Sequence, residues 1–148
     1  MGALRDLARK RLQLTRSRTL HILSVEGNLA RQKGSRISSR AVKQLTEETL
    51  NTLELSENVT AAMAANVAVI QTLNVQIDKL EARLRSQLRP QADFALLTTT
   101  PGIGEILATT VMLETGSIER FAAVGNFASY ARCVDSKRIS NGKKKGVG

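Results

Sequence analysis

The sequence predicts an all-α protein, in which a long basic helix and a coiled-coil-like helical hairpin precede a small helical domain. Aromatic residues make up 3% of the 148 residues, so the core must be built from Leu, Ile, Val and Ala, which suit packed helices. Neither Pro nor Gly interrupts residues 35–89, and this favours long helices. The predicted divisions are a basic helix at 1–36, a helical connector at 37–89 and a third domain at 90–148.

The first helix is predicted over residues 3–32 from an apolar stripe with helical spacing. Arg11 and Arg18 occupy the positions where this stripe should continue. Because Arg is rarely buried without a partner, these two side chains either meet acidic residues of another helix or bind phosphate. The stripe consists of Leu4, Leu7, Leu14, Ile22, Val25 and Leu29, and the candidate nucleic-acid contacts of this helix are Arg5, Arg9, Arg11, Arg16 and Arg18.

The net charge of +9 is concentrated at the two ends of the chain. Residues 1–40 carry ten Lys and Arg against Asp6 and Glu26, while residues 41–100 carry five against seven acidic residues. Residues 101–148 are basic again, with seven against four. Basic ends are typical of proteins that bind polyanions, because each neutralised phosphate releases counterions. A basic surface without a specific partner is the alternative.

The second region, 37–88, is predicted to be helical, with an interruption near residues 55–58 where Ser56 or Asn58 could cap a new helix. Apolar residues then recur at alternating spacings of three and four, which is typical of a coiled-coil seam. This seam predicts either a hairpin within the chain or a homo-oligomer through the helical connector. Its residues are Ile70, Leu73, Ile77, Leu80 and Leu84.

The third region contains Pro-Gly-Ile-Gly at 101–104 between two short apolar helices, the second of which is predicted from Glu105 to Glu114. This arrangement predicts a helix-hairpin-helix. Gly102 and Gly104 would permit the tight turn and leave the amides of the second helix free to bind phosphate. One more helix is predicted at 124–131, anchored by Phe121, Val124, Phe127 and Tyr130.

The chain ends in SKRISNGKKKGVG, which is interpreted as a polar, basic loop containing a candidate nucleophile. A serine hydroxyl needs a base or metal for activation and positive charge to hold the phosphate under attack. Ser140 precedes Asn141 and Gly142, which permit a turn that would present its hydroxyl. A hydroxyl in a solvated loop is the alternative. The flanking cations, which are candidate nucleic-acid contacts, are Lys137, Arg138, Lys143, Lys144 and Lys145.

Several classes of protein are disfavoured by the composition. The single cysteine, Cys133, has no partner for an internal disulfide and no cluster of metal ligands around it. The N-terminus is too charged for a secretory signal, and no apolar run approaches the ~18 residues of a membrane span. The sequence therefore predicts a cytoplasmic protein with no membrane partner and no metal site in this chain.

The segments PGIG, ETGSIERF, ASYA and SNGKKKG, in this order, resemble the C-terminal domain of DEDD-type bacterial insertion-sequence transposases that use a guide RNA. These segments lie in the last third of the chain, and the first helix and connector also resemble the corresponding regions of that family. The resemblance implies DNA transposition, with DNA and guide RNA as partners. Through its SNG motif it also implies that Ser140, in preference to Ser136, is the nucleophile that becomes joined to DNA. An acidic domain elsewhere is implied to bind Mg.

The sequence also departs from this family. Asp6 is the only acidic residue among the first 25, so the expected acidic tetrad lies outside this chain, as does the continuation after the lysines. The chain is therefore interpreted as a fragment that is inactive in isolation. The alternatives are a non-catalytic nucleic-acid-binding module and a coiled-coil oligomerisation module.

Overall fold

The all-α prediction is confirmed by the computed structural model, which describes residues 2–133, 137–140 and 143–147, the last two ranges as backbone only. Long and short helices follow one another up to residue 130, and two short strands follow them. No helix in this described part is long and apolar enough to cross a membrane. The elements are α1 (Gly2–Lys33), α2 (Ser39–Val42), α3 (Glu47–Asn51), α4 (Glu57–Leu88), α5 (Ala92–Thr99), α6 (Glu105–Thr115), a 3₁₀ turn (Ile118–Arg120), α7 (Val124–Tyr130), β1 (Lys137–Ser140) and β2 (Lys143–Val147).

The two 32-residue helices α1 and α4 pack against each other and form the main helical pair. Arg11 of α1 meets Glu81 of α4, and Arg18, seven residues further along α1, meets Asn74, seven residues back along α4. This register is that of an antiparallel pair. The predicted seam residues Ile70 and Ile77 are 1% exposed, so the seam is covered within one chain.

Seven-residue spacing along α4 explains this packing. Two rows of side chains face the core, because positions seven apart return to nearly the same side of a helix. Leu73 and Leu80, which were predicted to lie in the seam, are only half-buried at its edge. The buried apolar members of the two rows are Met63, Ile70, Ile77 and Leu84 in one, and Val67 and Leu88 in the other.

The apolar core has two parts, separated along the helical pair by the polar contacts of Arg11 and Arg18. One part joins α1 to α2, α3 and the first half of α4. The other joins the start of α1 to the end of α4, α5 and α6. The first contains Ile22, Val25, Leu29, Val42, Leu50, Met63, Val67 and Ile70; the second contains Leu84, Leu88, Phe94, Ala108, Met112 and Leu113, with Leu4, Leu7 and Ala8 packed against it.

The region before α4 differs from the long helix predicted from residue 37. Ser38 accepts a hydrogen bond from the amide of Ala41 and starts the four-residue helix α2. Thr46 caps the five-residue helix α3 through a reciprocal pair of hydrogen bonds with Thr49. These hydroxyls compete for backbone groups that a continuous helix would use, so the chain turns here. The predicted interruption near Ser56 is confirmed, because α4 begins at Glu57.

The chain divides into two compact units between Glu114 and Thr115. The division into three domains, which rests on sequence motifs, stays a prediction. In the second unit, α7 confirms the helix predicted at 124–131, and Phe121 and Phe127 are half-buried. Val124 does not act as an anchor, since it is 85% exposed.

The C-terminal segment is not the loop that was predicted, because β1 and β2 pair antiparallel. The predicted turn at Asn141 and Gly142 lies outside the described residues. In general, Asn-Gly between two short segments is a strong sequence signal for a hairpin, which the interpretation of this segment as a loop did not use.

Candidate nucleic-acid interface

Two of the arginines predicted to contact nucleic acid instead join α1 to α6. The Nε of Arg5 donates a hydrogen bond of 2.7 Å to the carbonyl oxygen of Leu113. Arg9 forms a two-pronged ion pair with Glu114, in which Nε donates to Oε1 at 2.9 Å and Nη2 to Oε2 at 2.8 Å. These hydrogen bonds from Arg9 lower the pKa of the Glu114 carboxyl. Both arginines therefore stabilise the first unit.

Two further arginines hold α1 to α4. The Nε and Nη2 of Arg11 contact Oε1 of Glu81 at 2.7 and 2.6 Å, and the two side chains are only 17% and 22% exposed. The Nη1 of Arg18 donates to Oδ1 of Asn74 at 2.8 Å. Of the two alternatives for these positions, Arg11 takes the acidic partner on another helix, whereas Arg18 takes an amide.

The fifth arginine of this set is in a different environment. Arg16 is exposed and makes no hydrogen bond or ion pair with any residue that the structure describes. Within this set of five, it is therefore the arginine without an intramolecular partner in the described structure, and the first candidate for contact with a polyanion. A role of the α1 arginines in nucleic-acid binding stays a prediction, and the structure shows that four of them already have intramolecular partners.

The Pro101–Gly104 turn connects α5 to α6 as the sequence predicts. The amide of Ile103 donates to the carbonyl oxygen of Thr100 at 3.0 Å, and Gly102 has φ +87°, which together identify a type II β-turn. Ile103 packs against the apolar core, whereas Gly102 and Gly104 are exposed. The first helical hydrogen bond of α6 runs from Ala108 to Gly104, so the preceding amides of α6 have no helical acceptor.

Charged side chains surround the start of α6. Glu105 accepts a hydrogen bond from Nε of Arg85 at 2.8 Å and another from Nη2 of Arg89 at 3.0 Å. The hydrogen bond from Arg85, followed by that from Arg89, lowers the pKa of the Glu105 carboxyl. The hydrogen bond between Arg85 and Glu105 also raises the pKa of Arg85. Two arginines against one glutamate leave an excess of positive charge beside the exposed glycines.

The C-terminal hairpin contains the predicted nucleophile and its flanking cations. Ser140 is the last residue of β1 and lies opposite Lys143, the first residue of β2. The backbone register therefore brings Ser140 beside the predicted lysine cluster. The alternative serine, Ser136, lies outside the described residues, as do the side chains of this hairpin. Contact with nucleic acid therefore stays a prediction for Lys137, Arg138, Lys143, Lys144 and Lys145.

An arginine that the sequence reasoning missed lies in the second unit. The Cζ of Arg120 is 4.6 Å from the ring centroid of Phe121 and 4.5 Å from that of Tyr130. The Phe121 ring also contacts Phe127, with centroids 5.3 Å apart. The aromatic residues had been recognised, but only as anchors of a helix. Arg120 is in the 3₁₀ turn, where no helical period connects it to Tyr130.

No group of three His, Cys, Asp or Glu side chains that could bind a metal ion occurs among the described residues. The single histidine, His21, is half-buried, and its Nδ1 lies 2.8 Å from Oδ1 of Asn66. The amide nitrogen of Asn66 donates to the carbonyl of Ala62, which identifies the atom facing His21 as the Asn66 oxygen. Because that oxygen can only accept, Nδ1 of His21 is the donor. His21 thus contributes to the packing of α1 on α4.

Comparison with known proteins gives a consistent result for the C-terminal region. Residues 94–148 match the sequence profile of the family described as Transposase IS116/IS110/IS902. Over 149 residues the chain is 25% identical to a Pseudomonas aeruginosa protein named probable family 20 transposase. This match covers 97% of the chain and 44% of the relative, so the chain spans less than half of that protein's length. No solved structure matches. These similarities support the transposase part of the resemblance seen in the sequence.

Proposed function

We propose that this chain serves DNA transposition as part of a longer transposase, in which residues 94–148 bind DNA. The observation that carries the proposal is the match of this range to a transposase family. The range includes the exposed Pro101–Gly104 turn and the basic hairpin. The second unit, residues 115–148, contains seven Lys and Arg against Glu119 and Asp135, which favours a polyanionic partner.

Ser140 is the nucleophile in this proposal. Its hydroxyl oxygen attacks the phosphorus of a phosphodiester, so that a serine–phosphate ester bond forms and the bond from phosphorus to one deoxyribose oxygen breaks. The proton that the serine loses balances the one that the departing oxygen takes up. Cations beside Ser140 would hold the phosphate and stabilise the charge that develops on it. Support comes from the SNG motif of the resembling family and from the strand register that brings Lys143 opposite Ser140.

The DEDD-type class, the acidic Mg-binding domain and the guide RNA are further parts of this proposal, and all three rest on the resemblance. RNA would share the basic surface with DNA, since both present phosphodiesters. Arg16 of α1, which is exposed, is the first arginine to test for such a contact. Replacing Arg16 by Gln should weaken RNA binding, whereas Arg18→Gln, which breaks the contact with Asn74, should mainly reduce stability.

The catalytic part is tested in a complete relative by trapping covalent protein–DNA adducts under denaturing conditions. Replacing the serine that corresponds to Ser140 by Ala should abolish the adduct. The matched control replaces the serine that corresponds to Ser136, and the adduct should persist. An adduct that survives the first change, or disappears only with the second, would refute the assignment of Ser140.

A non-catalytic binding module is the second candidate, and the charge of the second unit favours it because binding needs no acidic domain. It predicts DNA affinity that falls steeply with salt and depends little on sequence. This chain alone is sufficient for the measurement. Binding that is insensitive to salt would exclude an electrostatic module, and adduct formation in the relative would favour the catalytic proposal over it.

Homo-oligomerisation through the helical connector also belongs to the proposal. The seam is covered by α1 within one chain, so a contact between copies would use outer faces of the helical pair. Leu20 and Leu23 of α1 are 69% and 55% exposed there. Replacing both by Lys should lower the molar mass measured by light scattering, and an unchanged monomer mass before and after would exclude this contact.

A further inference from the structure

Arg120 is held in place by two aromatic rings. Its guanidinium carbon lies about equally close to the centroids of Phe121 and Tyr130, at 4.6 and 4.5 Å. These distances are within the range of a cation–π contact. The two rings are themselves in contact, with centroids 5.3 Å apart, and so form a shared support for the guanidinium.

This support leaves the hydrogen-bond donors of Arg120 available. The guanidinium carbon lies over both rings, and the five N–H groups of an arginine point outward in the plane of its guanidinium. Arg120 is exposed and makes no hydrogen bond or ion pair with the residues that the structure describes, including its neighbour Glu119. An exposed arginine normally loses side-chain freedom when it binds a ligand. Here the rings already restrict that freedom, which lowers the entropic cost of binding.

The ligand that suits this arrangement is a phosphodiester. A planar arginine fork matches two oxygens of a phosphate or a carboxylate. The surrounding unit, with seven Lys and Arg against two acidic residues, favours a chain with many negative charges over an isolated carboxylate. Successive phosphates of a nucleic acid would contact Arg120 and other cations of the unit together.

We propose that Arg120 is a preorganised phosphodiester-binding residue, and that its ligand is the DNA backbone. This inference rests on the proposed function, because it names one contact of the same DNA-binding region. It adds a residue outside both the SNG motif and the lysine cluster. The rings of Phe121 and Tyr130 act through Arg120 and are positioning residues.

The test compares two arginines of the same unit in the full chain. Arg120→Gln and Arg132→Gln each remove one positive charge, but Arg132 is exposed and stacks on no ring in the described structure. DNA affinity is measured by fluorescence anisotropy at several salt concentrations. Arg120→Gln should weaken binding about tenfold and reduce the slope of log affinity against log salt by about one. Arg132→Gln should change affinity less than about threefold.

Three further variants separate stacking from charge. Arg120→Lys keeps the charge but loses the planar fork, so affinity should fall several-fold. Tyr130→Leu removes one supporting ring without changing charge and should act in the same direction, whereas Tyr130→Phe keeps the ring and isolates the contribution of the hydroxyl. Circular dichroism checks that each variant is folded. If Tyr130→Leu unfolds, the DNA affinity of Arg120→Lys compared with that of the original chain still tests whether the planar guanidinium is needed.

The outcomes distinguish this inference from the proposed function. Equal losses for Arg120→Gln and Arg132→Gln, or full affinity in Arg120→Lys, would overturn the inference while DNA binding by the chain stands. An original chain that binds no DNA would overturn both. A selective loss for Arg120→Gln, accompanied by a smaller salt slope, supports both.

Discussion

The ion pair of Arg11 and Glu81 gives the sharpest test of how α1 and α4 are held together. Replacing Glu81 by Leu leaves the Arg11 guanidinium without its carboxylate in a place where its side chain is 17% exposed. Two donors of Arg11 then lose the acceptor that they share, Oε1 of Glu81. Replacing both residues by Leu removes both charges together and extends the apolar rows of the two helices.

The structure sets the size of the effect. A hydrogen bond to a charged group contributes about 1.5–3 kcal/mol, and breaking a fully buried ion pair costs about 3–5 kcal/mol. Since water still reaches roughly a fifth of each side chain, we expect Glu81→Leu to lower the free energy of unfolding by about 2 kcal/mol. The double variant should be as stable as the original chain or more stable, because the buried charges are replaced by apolar side chains.

Urea denaturation followed by circular dichroism at 222 nm measures these differences, because α1 and α4 dominate the helical signal. The single variants and the double variant form a thermodynamic cycle that isolates the interaction energy of the pair. Arg16→Leu is the control, since Arg16 is exposed, and its effect should stay within about 0.5 kcal/mol. If the double variant loses as much stability as the two single variants added together, the pair does not act as described and the reasoning fails.

Three other perturbations have defined outcomes in the same unfolding assay. Gly102→Ala should lower the free energy of unfolding by about 1 kcal/mol, because φ is +87° at Gly102. Gly104→Ala should cost less, because a Cβ at Gly104 would meet open space and φ there lies outside the left-handed region. Equal costs would contradict the turn assignment. The lowered pKa of Glu105 means that its ion pairs stabilise the fold above the unfolded pKa of about 4.3 and lose this effect as pH falls through the lower folded pKa. The stability difference between the original chain and Glu105→Gln should therefore be largest at neutral pH and shrink in acid, and a constant difference would refute it. Ile77→Ala should cost about 3 kcal/mol because Ile77 is 1% exposed, whereas the control Val75→Ala, 51% exposed, should cost under about 0.5 kcal/mol; similar losses would mean that the seam is not buried.

The helices were largely predictable because their apolar spacing is local information. The stripe of the first helix predicted residues 3–32, and α1 spans Gly2–Lys33. The seam of α4 was also recognised, but its partner was not, since a stripe tells which face is buried and not what covers it. The structure shows that α1 covers it. The same limit explains why two outcomes for Arg11 stayed open until Glu81 was seen opposite.

The candidate site was harder to predict, because its parts come from different kinds of local structure. Gly102 has a local signal, Pro-Gly before a helix, and the turn was found. Arg120 has none, since nine residues of loop and α7 lie between it and Tyr130, and only the folded unit brings the guanidinium to the ring. From the sequence alone, Arg120 is indistinguishable from the other surface charges of this basic unit. What distinguishes Arg120 from Arg132 is the aromatic support, and this is why a substitution that keeps the charge, Arg120→Lys, tests the site more directly than one that removes it.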